Sequence, residues 1–164
     1  MSGRRGINDH AMNNHFIKAL KIVAERMEDN GIAWAVIGSG ALALQGMDVA
    51  PNDLDISVSV RDLEKIREIF SDYSSTEVKE IKTLSGKPAW DVLAAIEGIE
   101  TQFCGETDIG AEAIWFNRVA MDLTNDVEVD GVRVSCISLP AALEAYKELH
   151  RPQKVELIQA FLNK

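Results

Sequence analysis

Apolar and polar residues alternate with two different periods along the chain. Near the N-terminus the apolar positions recur every three to four residues, which predicts an amphipathic helix that ends at Asn30-Gly31. These apolar positions are Ile17, Leu20, Val23, Ala24 and Met27. A short, nearly continuous apolar run over 32–37 follows, and its length and β-branched content predict a buried strand.

The segment after this strand predicts a turn, a short helix and a second strand. Gly38-Ser39-Gly40 interrupts the apolar run, and residues 41–45 are expected to form a short helix that ends at Gly46. Residues 54–60 then alternate strictly between apolar and polar, which is typical of a half-buried strand.

The rest of the chain predicts more helices and two hairpins. Residues 61–70 form an amphipathic helical pattern, and helices are expected over 139–149 and 154–162. Glu97-Gly98 and Asp130-Gly131 each join two strand-like runs and predict tight hairpin turns. The expected fold class is α+β, with helices packed on a small mixed or antiparallel sheet.

Composition narrows the range of functions. The 164 residues carry a net charge of −9, and no Lys/Arg run is present, so strong non-specific nucleic-acid binding is not expected. No apolar run approaches the roughly 20 residues that span a bilayer, so no membrane association is expected. Cys104 and Cys136 lack disulfide or metal-ligand spacing, which predicts reduced thiols and a cytoplasmic location.

Gly38, Ser39 and Gly40 form the first candidate binding feature. Glycines after a strand let the backbone approach a ligand closely, and the N–H groups at the start of the next helix attract phosphate. The alternative is that the segment is only a tight turn.

Asp53 and Asp55 form the second feature. The two-residue repeat of a strand places both carboxylates on one face, where they can chelate a hard divalent cation. The alternative is that Asp53 caps a turn and Asp55 is solvated at the strand edge. Together, a phosphate cradle and a carboxylate pair are what metal-assisted phosphoryl transfer needs.

The segment 34–56 resembles the minimal nucleotidyltransferases of the DNA polymerase beta superfamily. Their signature is a hydrophobic strand, Gly-Gly or Gly-Ser, a short helix ending in Gly, and Asp-hydrophobic-Asp. Ser138-Leu139-Pro140 and Tyr146-Lys147 also look like the C-terminal segment of small members. The resemblance implies a mixed sheet with flanking helices, and Mg²⁺- or Mn²⁺-dependent transfer of a nucleoside monophosphate from NTP to an unidentified acceptor. Separately, the N-terminal residues, with two arginines and no hydrophobic stretch behind them, predict a disordered arm over 1–12. The absence of a repeat or linker predicts a single domain over 13–164.

One position departs from the pattern of these relatives. They carry a third carboxylate on a neighbouring strand, and the matching position here is Gln102, which is neutral and cannot act as a general base. Glu100 lies on the same face one pleat earlier. Either Glu100 has taken over the role, or the site binds metal and nucleotide with little turnover.

Three functions are therefore weighed. The first is a nucleotidyltransferase with Asp53, Asp55 and either Glu100 or Gln102 at its centre. The second is a catalytically inactive nucleotide- or partner-binding protein of the same fold, such as a toxin–antitoxin-like component with a small helical protein partner. The third is a structural domain in which the acidic pair is accidental.

Overall fold

The computed structural model describes residues 12–82, 88–106 and 123–164. The predicted arm over 1–12 lies outside the described residues except for Met12, which is buried. The described α-helices are α1 (Asn14–Asp29), α2 (Gly38–Leu44), α3 (Leu63–Ile69), α4 (Leu139–Glu148) and α5 (Pro152–Leu162). Short 3-10 turns lie at Val60–Asp62 and Ser71–Tyr73.

Helix α1 is stabilised by a side-chain cap at its N-terminus, a glycine after its C-terminus and one buried apolar face. The Asn13 side chain accepts a hydrogen bond from the Phe16 N–H at 2.8 Å, a cap that contributes about 1 kcal/mol. The helix stops at Asn30-Gly31 as predicted, since Gly31 adopts a φ of +64° that other residues rarely take. The buried residues of α1, all on one face, are Phe16, Ala19, Leu20, Val23, Ala24 and Met27.

Seven described strands form one mixed sheet in the order β3-β4-β5-β2-β1-β7-β6. The strands are β1 (Trp34–Ile37), β2 (Leu54–Val58), β3 (Lys79–Lys82), β4 (Pro88–Ile96), β5 (Ile99–Glu106), β6 (Thr124–Val129) and β7 (Val132–Ile137). Strand β2 pairs antiparallel with β1 and parallel with β5, and β1 pairs parallel with β7. The predicted α+β class is confirmed.

Strand β2 has one face buried in the core and one half-buried face that carries Asp55. Leu54, Ile56 and Val58 point into the core, while Asp55 and Ser57 lie half-buried on the other face. The core side holds the stacked rings of Phe70 and Phe103, whose centroids are 4.9 Å apart. The strand is two residues shorter than predicted. The chain turns at Val60–Asp62, where its backbone presses against Gly105 so closely that a Cβ there would lie 2.8 Å from Val60.

Both predicted hairpins are present. Glu97 and Gly98 join β4 to β5, and Asp130 and Gly131 join β6 to β7. All four residues have φ between 49° and 80°, as a type I′ turn requires.

The described helices include none that is long and apolar enough to cross a membrane. Neither Cys104 nor Cys136 is in a disulfide, and burial raises the pKa of Cys136 to about 12.

Candidate functional site

The end of β1 brings Gly38 against Asp55. Ile37 is the register partner of Asp55 across the antiparallel β1–β2 pair, so the next residue, Gly38, faces the Asp55 side chain. A Cβ built on Gly38 would lie 2.9 Å from Asp55 Oδ2, closer than real Cβ atoms approach. Gly38 also has a φ of +70°. Glycine is therefore required here both for backbone conformation and to leave room for the carboxylate.

Ser39 and Gly40 belong to helix α2, which begins at Gly38, three residues earlier than predicted. Gly40 is buried, and a Cβ there would lie 3.2 Å from Phe16 and 3.3 Å from Val36. The early start follows from this packing, because a residue without a side chain lets the first turn of α2 dock on α1. Ser39 stays half-buried beside Gly38.

Asp53 and Asp55 differ in environment. Asp53 lies exposed in the bend just before β2, and Asp55 is half-buried within the strand. Burial, and then the negative charges of Asp53 and Glu100, raise the pKa of Asp55 from 3.8 to about 6. Like charges converge on Asp55, an arrangement that a cation would relieve.

Strand β5 places the two candidates for the third position beside β2. Gln102 is the register partner of Asp55 and is half-buried. Glu100 is exposed and lies one pleat earlier on the same face, opposite Ala95 of β4. Gln102 is thus directly across from Asp55, while Glu100 acts on Asp55 through its charge.

The sequence reasoning missed Asp91. This residue of β4 is only 5% exposed, and its Oδ2 accepts a hydrogen bond from Gln102 Nε2 at 2.8 Å. A single acid inside the otherwise apolar run of β4 was the available signal. Its significance depends on the register that sets Asp91 beside Gln102.

Helices α4 and α5 border the same region. Burial and the nearby charge of Asp55 raise the pKa of Tyr146, while Arg151 opposes the shift. Tyr146 also lines a cleft of about 550 Å³ at the junction of the two helices, together with Lys147, His150, Arg151 and Val155. This cleft, which Glu156 also lines, therefore lies close to Asp55. Of its basic side chains, Lys147 is paired with Glu144 at 3.1 Å.

The donor atoms around β2 and β5, in the middle of the sheet, suit a hard cation. Asp53, Asp55 and Gln102 supply carboxylate and amide oxygens, the ligand types that Mg²⁺ takes. Across the described ranges, no three His, Cys, Asp or Glu side chains are grouped to hold a metal ion. A cation here would thus have two carboxylates and a neutral amide from the protein and would need further oxygens from a ligand.

Comparison with known proteins identifies the family. The model of the aminoglycoside-2''-adenylyltransferase family matches residues 19–159. The chain belongs to this family. The predicted resemblance to nucleotidyltransferases is thereby confirmed, and the family match spans the β1-Gly38 junction, both aspartates, Gln102 and the α4–α5 cleft.

Solved structures agree on the fold. A candidate nucleotidyltransferase from Thermotoga maritima superposes with a TM-score of 0.70 at 24% identity, over 95% of this chain and 99% of that one. The antibiotic-resistance factor ANT(2'')-Ia superposes with a TM-score of 0.52 at 13% identity, over 90% of each chain. No curated protein matches the chain. The family and the fold are those of nucleotidyltransferases.

Proposed function

We propose that the protein transfers a nucleoside monophosphate from an NTP to an acceptor, with Mg²⁺ or Mn²⁺ held by Asp53 and Asp55. The observation that carries this proposal is the contact between Gly38 and Asp55, where a Cβ would lie 2.9 Å from the carboxylate. It brings the backbone turn that would receive phosphate next to the side chain that would bind the cation.

Each part of the site would have a separate task. Asp53 and Asp55 would hold the cation, which would supply positive charge against the phosphate oxygens during transfer. The backbone at Gly38 and the Ser39 hydroxyl approach the phosphates, since no side chain at position 38 blocks them. Lys147 and Arg151, which line the α4–α5 cleft together with Glu156, would supply positive charge that attracts an anionic substrate group.

Calorimetry of ATP binding tests the proposal. ATP is expected to bind at least ten times more tightly in Mg²⁺ than in EDTA, because the nucleotide completes the coordination shell of a cation that two carboxylates hold only weakly. Equal affinities in Mg²⁺ and EDTA would show that no cation bridges the protein and the phosphates. Asp126→Asn, on an exposed strand at the sheet edge, provides the control with one carboxylate fewer.

A second candidate function is nucleotide binding without turnover, and the observation that favours it is the neutral Gln102 opposite Asp55. Glu100 decides between the two functions. If Glu100 is the general base, Glu100→Gln lowers pyrophosphate release from ATP by about 10²–10⁴-fold. A parent protein that binds Mg²⁺·ATP but releases no pyrophosphate with any acceptor would instead support the binding function.

The family name supplies the first acceptor class to assay, the 2''-hydroxyl of aminoglycosides. Adenylyl transfer to an aminoglycoside would be detected by mass spectrometry as the added adenosine monophosphate. A product with a different acceptor would keep the proposed chemistry and change only the substrate.

A further inference from the structure

A buried carboxylate faces the position where the relatives carry their third acid. Asp91 on β4 is 95% buried, as its exposure of 5% shows, and Gln102 on β5 donates its Nε2 to Asp91 Oδ2 at 2.8 Å. Within the described residues, Gln102 is the side chain that hydrogen-bonds to Asp91, and no cation forms an ion pair with it. The chain therefore keeps an acid next to this position, on the neighbouring strand.

Such a pair is costly for a purely structural role. Burying a carboxylate without a cationic partner is unfavourable, and one hydrogen bond from a neutral amide offsets only part of the cost. Apolar side chains of similar size would pack this part of the sheet at least as well. The pair thus calls for a role outside packing.

The strand register and the hydrogen bond to Asp91 together indicate how the Gln102 amide is oriented. Gln102 stands between β2 and β4, with Asp55 as its β2 partner and Asp91 beside its β4 partner, Leu93. A carboxylate can only accept hydrogen bonds, so the amide must turn its NH₂ group toward Asp91. The amide oxygen is then left for the side of the group away from Asp91.

We propose that Asp91 is a positioning residue: it holds the Gln102 amide by its Nε2 so that Oε1 faces Asp55 as a neutral third ligand. The inference rests on the proposed function, because the ligand role needs the cation. It also changes how the missing acid should be restored. Gln102→Glu alone would set a second carboxylate against Asp91, whereas Asp91→Asn with Gln102→Glu reverses the hydrogen bond and keeps it.

The hydrogen bond itself can be tested in the metal-free protein. The two side-chain amide protons of Gln102 are expected to give separate, slowly exchanging ¹⁵N-correlated NMR signals, because a charge-assisted bond restricts rotation of the amide. In Asp91→Asn these signals should move and their exchange with solvent should rise about tenfold. Unchanged Gln102 signals in Asp91→Asn would overturn the proposal.

Mn²⁺·ATP affinity, measured by electron paramagnetic resonance, tests the ligand role. Asp91→Asn is expected to weaken binding by about 10–100-fold, the usual cost of losing a residue that orients a ligand. In a Gln102→Ala background the same substitution should change affinity less than twofold, since Asp91 acts through Gln102. Equal weakening in both backgrounds, or no weakening in either, would overturn the positioning role.

The paired substitution covers the case in which Asp91→Asn alone does not fold. Asp91→Asn/Gln102→Glu should fold and bind Mn²⁺·ATP at least as tightly as the parent, and more tightly than Gln102→Glu alone. If Gln102→Glu alone binds as well as the pair, Asp91 does not position this group. Absence of Mn²⁺·ATP binding to the parent would overturn the proposed function, and the ligand role of Gln102 with it. Asp126→Asn, outside the site, serves as the control for the loss of one negative charge.

Discussion

The two hairpins of the sheet are built alike and used differently. Each is closed by an acidic residue and a glycine with positive φ, and each pairs its second strand with one strand of the β1–β2 pair. In the β4–β5 hairpin, Asp91 is buried beside Gln102, which lies across from Asp55. In the β6–β7 hairpin, Asp126, Glu128 and Asp130 are all exposed.

The neighbouring strand explains the difference. Strand β5 pairs with β2, which carries Asp55, so polar residues on β5 and β4 lie near this aspartate. Strand β6 is at the margin of the described sheet, where its acids are solvated, and Arg133 approaches Asp126 only to 3.9 Å. Acidic residues that are close in the sequence can therefore form a site only where burial and strand pairing place them next to other polar side chains.

The β6–β7 hairpin nevertheless contacts the segment that follows α2, and so helps to hold this helix in place. Gln45, just past the end of α2, donates to the Ile137 carbonyl at 2.8 Å and accepts from Asn125 at 2.7 Å. These bonds tie the far end of α2 to β6 and β7. Because α2 begins at Gly38, they help to keep Gly38 against Asp55.

The largest difference between the hairpin regions is expected in nucleotide binding. Asp55→Asn should weaken ATP binding in Mg²⁺ by about 100-fold, because the loss of a carboxylate ligand removes several kcal/mol of charge stabilisation. Asp126→Asn should leave the affinity unchanged. Calorimetry of both variants makes the comparison, and equal affinities would show that the two acidic regions do not differ in function.

A matched pair of glycine substitutions separates backbone strain from crowding at the site. Gly131→Ala puts a side chain at φ +80° with nothing within 4 Å, and should cost about 1 kcal/mol of stability. Gly38→Ala adds a contact of 2.9 Å with Asp55 Oδ2 and should cost about 2 kcal/mol. Denaturant unfolding measures both. Gly38→Ala should also weaken ATP binding, and Gly131→Ala should not; the same ATP affinity in both variants would separate Gly38 from the site.

We expect ionisation of Asp55 to make the folded protein less stable as the pH rises. Its pKa is raised in the folded protein from 3.8 to about 6, so well below pH 3.8 both states are protonated and the carboxyl contributes nothing. Between pH 4 and 6 the unfolded chain ionises first, and folding becomes less favourable. Above pH 6 the cost is complete.

Asp55→Asn removes this cost. The variant should be more stable than the parent by about 1 kcal/mol at pH 7, less than the shift alone implies because solvent screens part of the repulsion. The gain should be largely lost at pH 4. Urea unfolding at the two pH values checks this, and a gain of the same size at both would mean that Asp55 is not the titrating group.

The smallest effect is expected on the second hairpin. Arg133→Ala removes a long, exposed contact with Asp126 and should change stability by less than about 0.5 kcal/mol. Thermal unfolding with and without added salt checks it. A larger, salt-sensitive loss would show that the acidic strand β6 needs Arg133 after all.

Much of the local structure could be predicted from the order of residues alone. The periodicity of 17–27, the alternation after Leu54 and the two X-Gly turns predict elements that the fold contains, because burial on one face and positive φ leave direct traces in the order of residues. The motif from Trp34 to Ile56 was likewise sufficient to indicate the nucleotidyltransferase family. The roles assigned to Asp53, Asp55, Glu100 and Gln102 stay predictions that the experiments above can test.

Which of these residues lie close together depended on the three-dimensional fold. The start of α2 at Gly38 depended on the fit of Gly40 against Phe16, and the environment of Asp55 depended on β1 and β5 closing around β2. The hydrogen bond between Asp91 and Gln102 could not be predicted from the sequence, because it depends on the β4–β5 register. Local patterns report the backbone preferences and exposure of single segments, whereas a site forms from contacts between strands that lie far apart along the chain.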